Sequence, residues 1–132
     1  MGNRFLVCAA LSGFFLVGFG AFAAHSLEGH LSPAALLWIE KGWRYQALHT
    51  VSLLIIGCFM AATQAQSVWV QRKRAVNIIG FFWLLGIVCF SGGLYVMALL
   101  NTTAFVMFVP LGGVAFLIGW AALLYVSLRR VD

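Results

Sequence analysis

The sequence predicts an all-α protein, a four-helix transmembrane bundle with a short interfacial helix between helices 1 and 2. Hydrophobic residues make up 64% of the 132 residues and charged residues 8%, whereas a soluble globular chain has about 45–50% apolar and about 25% charged residues. Four apolar stretches are also long enough to cross a bilayer, and the Lys and Arg residues lie between or beside them. At this length the chain is predicted to be one integral membrane domain, 1–132.

The first span is predicted at 5–24, which contains no charged residue. Twenty helical residues rise about 30 Å, the thickness of the hydrocarbon layer. Small side chains near one face of this helix would let a second helix approach closely in lipid. They are Ala9, Gly13, Gly20 and Ala24.

A cleaved signal peptide is the alternative interpretation of this first stretch. Arg4, the apolar run and the A-x-A sequence at 21–23 resemble such a signal. The apolar run exceeds the usual length of about 7–15 residues. We therefore favour a retained helix, with cleavage after Ala23 left open.

The connection after the first span contains most of the polar chemistry of the chain. All three histidines and two of the three acidic residues lie within 20–50. Ser32 and Pro33 form a typical helix start, with Ser as N-cap and Pro in the first turn. We predict a short interfacial helix at 33–41 that Gly42 interrupts or bends; a plain loop lying over the bundle is the alternative.

The remaining spans are predicted at 45–65, 75–100 and 110–128. Arg72, Lys73 and Arg74 lie between the second and third, where each Arg would cost about 2.5–3.5 kcal/mol at the bilayer centre, so they are expected in a loop. The fourth span should begin at Pro110, because proline fits the first turn of a helix better than its interior. Small residues then recur at helical spacing and predict a packing seam, consisting of Gly112, Ala115, Gly119 and Ala122.

The distribution of cations predicts the orientation. With four spans, six Lys and Arg residues fall on the side of the termini and two, Lys41 and Arg44, on the other. Cytoplasmic segments carry the excess of Lys and Arg. The sequence therefore predicts a multi-pass membrane protein with both termini in the cytoplasm.

These spans and directions predict a polar cluster in the outer leaflet, beneath the first connection. Its members are expected at one depth and to serve either function or packing: His25, Tyr45, Gln46, His49, Ser91 and Tyr95. Glycines predicted to serve helix packing are Gly13, Gly20, Gly92, Gly112, Gly113 and Gly119.

Four short blocks also carry a family resemblance. They are GAFAAH at 20–25, YQALH at 45–49, SGGLY at 91–95 and PLGG at 110–113, followed by Gly119 and Trp120. In this order the blocks resemble the YgdD-like family of small bacterial inner-membrane proteins, whose first block usually reads GAFGAH; here Ala23 replaces the second glycine. The resemblance implies four transmembrane helices in the bacterial inner (plasma) membrane and brings no activity with it.

The predicted role is a structural or interaction subunit whose polar side chains tie helix ends together. One alternative is a transporter or proton-relay component that uses the polar cluster. A further alternative is a haem-binding protein, with His25 and His49 as the iron ligands. The expected partners are the lipid bilayer, a second copy of the chain or other membrane proteins.

Other classes of function lack their signatures. Cys8, Cys58 and Cys89 are too dispersed for a structural metal site. Ser91 stands outside any G-x-S-x-G motif, and the Gly-Gly pairs lack the lysine of a phosphate-binding loop. No basic face with interleaved aromatics indicates nucleic acid. We therefore expect no enzyme, no catalytic residue, no metal, no cofactor and no nucleic-acid partner.

Overall fold

The computed structural model describes residues 3–63 and 67–129, and for 67–72 it describes the backbone alone. Its regular elements in these ranges are all helical. A π-helical segment, Ala23–Leu27, extends the first helix, and a second one, Ile87–Gly92, joins the third helix to the fourth. The α-helices are α1 (Arg4–Phe22), α2 (Pro33–Ala62), α3 (Ser67–Gly86), α4 (Gly93–Leu100) and α5 (Phe108–Leu128).

The predicted fold class is confirmed. Within the described residues, four helical stretches are long and apolar enough to cross a membrane: Arg4–Leu27, Pro33–Ala62, Lys73–Leu100 and Phe108–Leu128. Contacts between successive stretches run antiparallel, since Ser12 meets Thr50 whereas Asn3 meets Gly57. The chain therefore crosses the bundle up, down, up and down.

Helix α1 begins at a capped turn. The side-chain oxygen of Asn3 accepts hydrogen bonds from the backbone N–H groups of Phe5 and Leu6, while its amide nitrogen donates to the carbonyl of Gly57. An Asn cap satisfies donors that the first helical turn leaves unpaired. The same side chain thus starts α1 and ties it to α2.

Helix α2 corrects the prediction of a separate interfacial helix. Its start is as predicted, with the Ser32 hydroxyl accepting from the Ala35 N–H at 3.2 Å and Pro33 in the first turn. It then continues without a break through Gly42 to Ala62. A glycine costs a helix only about 1 kcal/mol. Here Gly42 is buried against Tyr95, and this contact favours the continuous helix.

Helix α3 corrects a second prediction. It begins at Ser67, so the Arg72–Lys73–Arg74 run expected in a loop is helical, and Lys73 and Arg74 are exposed. A helix can extend beyond the apolar layer when its long cationic side chains keep their charged ends in water. Residues 64–66 of the predicted loop lie outside the described residues.

Helix α5 packs closely along the third span. Its first turn contains Pro110, as predicted, and the start at Phe108 differs by two residues. The seam residues Gly112, Ala115 and Gly119 are buried. A Cβ atom placed on Gly112 would lie 2.3 Å from the backbone nitrogen of Phe90, inside the second π-helical segment.

Two apolar clusters form the core on either side of the polar residues. The first lies towards the Asn3 end and consists of Phe5, Ala9, Leu53, Ile56, Val76, Ile79, Trp83 and Phe116. The second lies towards the opposite end and consists of Leu27, Ala35, Ile39, Tyr95 and Ala98.

Candidate functional site

Gln46 is the centre of a buried polar network that joins three helices. Its side-chain oxygen accepts a hydrogen bond from the Tyr95 hydroxyl at 2.8 Å. Its nitrogen donates to both the hydroxyl and the backbone carbonyl of Ser12, at 3.1 and 3.3 Å. Gln46 and Tyr95 are 3% and 6% exposed. One side chain therefore connects α2 to α1 and α4 with its hydrogen-bonding groups satisfied.

Ser12 extends this network by one residue. Its hydroxyl lies 2.6 Å from the hydroxyl of Thr50. Thr50 follows Gln46 by four positions, so both side chains lie on the same face of α2. The Ser12 hydroxyl thus completes a chain of contacts from Tyr95 through Gln46 to Thr50.

His49 uses both nitrogens of its ring. Trp120 donates its indole N–H to Nε2 at 3.0 Å, so Nε2 carries no proton. Nδ1 lies 2.7 Å from the Tyr45 carbonyl, which only accepts, so Nδ1 carries the proton. The ring also stacks on Phe116, with centroids 3.6 Å apart and planes inclined by 12°. The geometry defines a neutral imidazole in its Nδ1–H form.

Ser91 makes a further contact between helices. Its hydroxyl, fully buried, donates to the Gly42 carbonyl at 2.8 Å. A Cβ on Gly42 would lie 2.8 Å from Cε1 of Tyr95, so a side chain at position 42 would meet the Tyr95 ring. The second π-helical segment supplies Ser91, and such segments are frequent at functional sites.

The network lies in the middle of the bundle, which differs from the predicted place near one end. Gln46 and His49 are the fourteenth and seventeenth of the 30 residues of α2. The prediction counted depth from a span start at residue 45, whereas α2 starts at Pro33, so His49 lies about 24 Å along the helix. Polar groups at this depth must be satisfied by the protein itself.

His25 does not join the other predicted residues. It is exposed in the first π-helical segment, 13 positions beyond Ser12, which corresponds to about 20 Å of helix rise. Ser12 is level with Thr50, next to His49. The prediction that the rings of His25 and His49 share one depth is therefore wrong, because α1 continues past the level of His49.

Tyr45 contributes mainly through its backbone. Its carbonyl accepts from His49, and its ring packs on Phe90 with centroids 4.6 Å apart. The side chain is 44% exposed. Tyr45 thus supports His49 from the rim of the network.

The six predicted packing glycines fall into two groups. A Cβ would come within 3 Å of a neighbouring helix at Gly20, Gly112 and Gly119. At Gly13 and Gly113 it would make ordinary contacts of 3.8 Å, and at Gly92 its nearest neighbour within 4 Å is the Ile87 carbonyl, at 3.9 Å. Close approach between helices therefore depends on the first group.

Sequence reasoning missed several partners in the network. Ser12 lies within the apolar run of the first span and was not predicted to have a polar partner. Trp120 was named only among the residues that carry the family resemblance. One usable signal existed in α2, where Gly42, Gln46 and His49 are spaced by four and three and so share one face. The missed residues are Ser12, Gly42, Thr50 and Trp120.

Comparisons with known proteins agree with this architecture. A family described as "Protein of unknown function (DUF423)" matches residues 19–113. A "UPF0382 membrane protein" of Haemophilus influenzae is 42% identical over 129 residues, covering 98% of this chain and 97% of the relative. The "UPF0382 inner membrane protein YgdD" of Escherichia coli K12 is 40% identical over 130 residues, covering 98% and 93%.

The chain belongs to the DUF423 family. A further relative, "UPF0382 membrane protein SERP0230" of Staphylococcus epidermidis, is 38% identical over 125 residues and 95% of both chains. The predicted resemblance to YgdD-like proteins is confirmed, and this DUF423 chain is a multi-pass membrane protein. No solved structure matches it.

Proposed function

We propose that this DUF423 protein is a structural or interaction subunit of the membrane, with no enzymatic activity of its own. One observation carries the proposal: among the described residues, the buried polar side chains around Gln46 and His49 are hydrogen-bonded, and the indole N–H of Trp83 is the exception without a partner. Gln46, Tyr95 and Ser12 satisfy each other, and His49 has a partner on each ring nitrogen. Such closure stabilises one arrangement of the helices.

A proton or solute pathway has little support in this geometry. Ser52 is the next polar residue beyond Thr50, and its hydroxyl donates to the Leu48 carbonyl of its own helix. Beyond it lies a cavity of about 400 Å³ whose lining, from Ser52 to Ser127, is mainly apolar and contains no ionisable side chain. Intramembrane pathways are marked by ionisable residues facing a cavity or each other.

Haem binding is disfavoured by the state of His49. An iron ligand must offer a ring lone pair, and the lone pair on Nε2 is occupied by the Trp120 N–H. The second ligand would be His25, about 20 Å away along α1.

Hydrolytic chemistry is disfavoured by the state of Ser91. Its hydroxyl donates to the Gly42 carbonyl and is fully buried. A nucleophilic serine needs a base that accepts its proton and a route for substrate.

We further propose that both termini are cytoplasmic. Arg4 and Lys73 lie near the same end of the antiparallel bundle, since Phe5 on α1 contacts Gly80 on α3. With Arg72, Arg74 and Arg129 they make five described cations near this end, against Lys41 and Arg44 near the other. Reporter fusions at the 64–66 connection and at the C-terminus should both report the cytoplasm, and opposite sides would contradict the orientation.

Helix α1 is the proposed face for a partner, either a second copy or another membrane protein. Of the 18 most apolar consecutive residues of the first span, only 11% are buried inside the protein, against 39% for those of the α2 span. Phe14 has the largest exposed fraction among the large hydrophobic residues of this face, at 85%.

Photocrosslinking in native membranes tests this role. A photoreactive residue replacing Phe14 should capture a defined protein, whereas the same residue replacing Leu117, which is 69% exposed on α5, should capture mainly lipid. Capture of lipid alone at both positions would contradict an interaction role. Proton flux in vesicles that disappears in His49→Ala would favour the relay instead.

A further inference from the structure

A groove of about 470 Å³ opens at the end of the bundle away from Asn3. It lies between the first π-helical segment and the first turns of α2, outside the polar network. Its volume falls in the range of about 300–1,000 Å³ that holds small ligands. The lining residues are Gly20, Ala23, Ala24, Glu28, Leu36, Ile39, Glu40 and Trp43.

The apolar part of this groove is built by Trp43 and Gly20. The indole N–H of Trp43 donates to the Leu16 carbonyl at 3.0 Å, which fixes the ring against α1. A Cβ on Gly20 would lie 2.8 Å from that nitrogen, so the absence of a side chain gives the indole its place. Ala23 and Ala24, in the first π-helical segment, also line the groove, and their small side chains leave it open.

The rim of the groove concentrates the negative charge of a basic chain. The sequence has three acidic residues against eight Lys and Arg, and two of the three, Glu28 and Glu40, line this groove. Glu40 is paired with Arg44 at 2.5 Å. Glu28 has no ion pair within the described residues. The rim therefore offers one open carboxylate for a cation, with a guanidinium nearby for an anion.

We propose that this groove binds a membrane phospholipid with a primary-amine headgroup. Its ammonium group lies at Glu28, and an acyl chain follows Ala23, Ile39 and Trp43. The lipid reaches the groove sideways, because Phe22 and Leu37 on the adjoining surface are exposed. A primary ammonium donates three hydrogen bonds to acceptors such as a carboxylate.

The overall charge of the protein favours a different class of lipid from the one proposed. A net charge of +5 by itself favours anionic lipids. Preference for an amine lipid over an anionic one must therefore come from the local arrangement at Glu28. It also separates amine lipids from choline lipids, whose quaternary ammonium has no N–H to donate.

Native mass spectrometry of the purified full-length protein tests the proposal. The protein is equilibrated with equimolar phosphatidylethanolamine, phosphatidylcholine and phosphatidylglycerol, and the lipid retained is identified. We expect phosphatidylethanolamine to exceed phosphatidylglycerol by about tenfold, equivalent to about 1.4 kcal/mol. Glu28→Gln should abolish this preference.

Matched variants separate the groove from general effects. Ala24→Trp fills the groove from an exposed position and should reduce retention of phosphatidylethanolamine, whereas Ala121→Trp makes the same change at an exposed position of α5, outside the groove, and should not. Asp132→Asn removes the remaining acid, which lies outside the described residues, and should keep the preference. Lipid retention is compared only among variants whose unfolding temperature in detergent equals that of the wild type.

Two results would overturn the proposal. One is retention that follows net charge, with phosphatidylglycerol favoured or equal in the wild type. The other is a phosphatidylethanolamine preference that survives Glu28→Gln. A third result would also overturn it: full competition by water-soluble glycerophosphoethanolamine, which would assign the site to a free headgroup and not to a lipid.

Discussion

Trp120 donates its indole N–H to Nε2 of His49 at 3.0 Å, joining two helices across 71 positions of sequence. Together with the Tyr45 carbonyl at Nδ1, this contact sets the tautomer of His49. A protonated ring would place an N–H opposite the Trp120 N–H, and two donors cannot bond to each other. The two contacts therefore favour a neutral His49 ring that serves helix packing.

Trp120→Phe should lower the stability of the bundle. The substitution leaves Nε2 of His49 without a donor, and interhelical hydrogen bonds contribute about 0.6 kcal/mol on average and about 1.7 at most. Lost packing of the larger ring adds to this loss. Thermal unfolding in detergent measures it, with Trp38→Phe as control, since the indole of Trp38 has no hydrogen bond to any described residue.

A double-mutant cycle separates the hydrogen bond from the packing. His49→Phe and Trp120→Phe should be non-additive, because the second change removes no further hydrogen bond. Additive losses would mean that the two side chains are energetically independent.

Tyr95→Phe should destabilise the protein while Tyr45→Phe should not. The first change leaves Oε1 of Gln46 buried without its donor, at a cost within about 0.6–1.7 kcal/mol. Tyr45 is 44% exposed, and its hydroxyl has no hydrogen bond within the described part of the chain. Equal unfolding temperatures of the two variants would show that the hydrogen bond from Tyr95 to Gln46 does not stabilise the protein.

Gly112→Ala and the adjacent Gly113→Ala form a matched pair. At Gly112 the new methyl group would lie 2.3 Å from the Phe90 nitrogen, whereas at Gly113 the nearest atom, in the Phe90 side chain, would be 3.8 Å away. Overpacking costs about 1–3 kcal/mol. We therefore expect Gly112→Ala to lower the unfolding temperature clearly and Gly113→Ala to leave it nearly unchanged; the reverse order would contradict the close approach of α5 to the second π-helical segment.

The fold class and the four apolar stretches could be predicted because lipid as solvent imposes long uncharged helices. The start of α2 at Ser32 and Pro33 could be predicted from local capping chemistry. Continuity through Gly42 could not be predicted from helix propensity, since packing against Tyr95 overrides it. The prediction of a break at Gly42 overlooked a usable signal, because small, polar and apolar residues recur at spacings of four and three along one helix face: Ala35, Ile39, Gly42, Gln46, His49 and Leu53.

The error in helix length moved the predicted cluster to the wrong depth. Placing the start of the second span at residue 45 put His49 near a helix end, level with His25. In the structure Ser12 is the residue of α1 that faces this level. Which residues of two helices meet depends on their offset, and a single sequence does not specify it.

The state of the His49 ring can be measured by ¹⁵N NMR on labelled protein in bilayers at neutral pH, with His49→Gln used to assign the signal. We expect a neutral ring with its proton on Nδ1 and a bare Nε2 that accepts from Trp120. An imidazolium, or a neutral ring with its proton on Nε2, would contradict a closed polar network in the middle of this bundle.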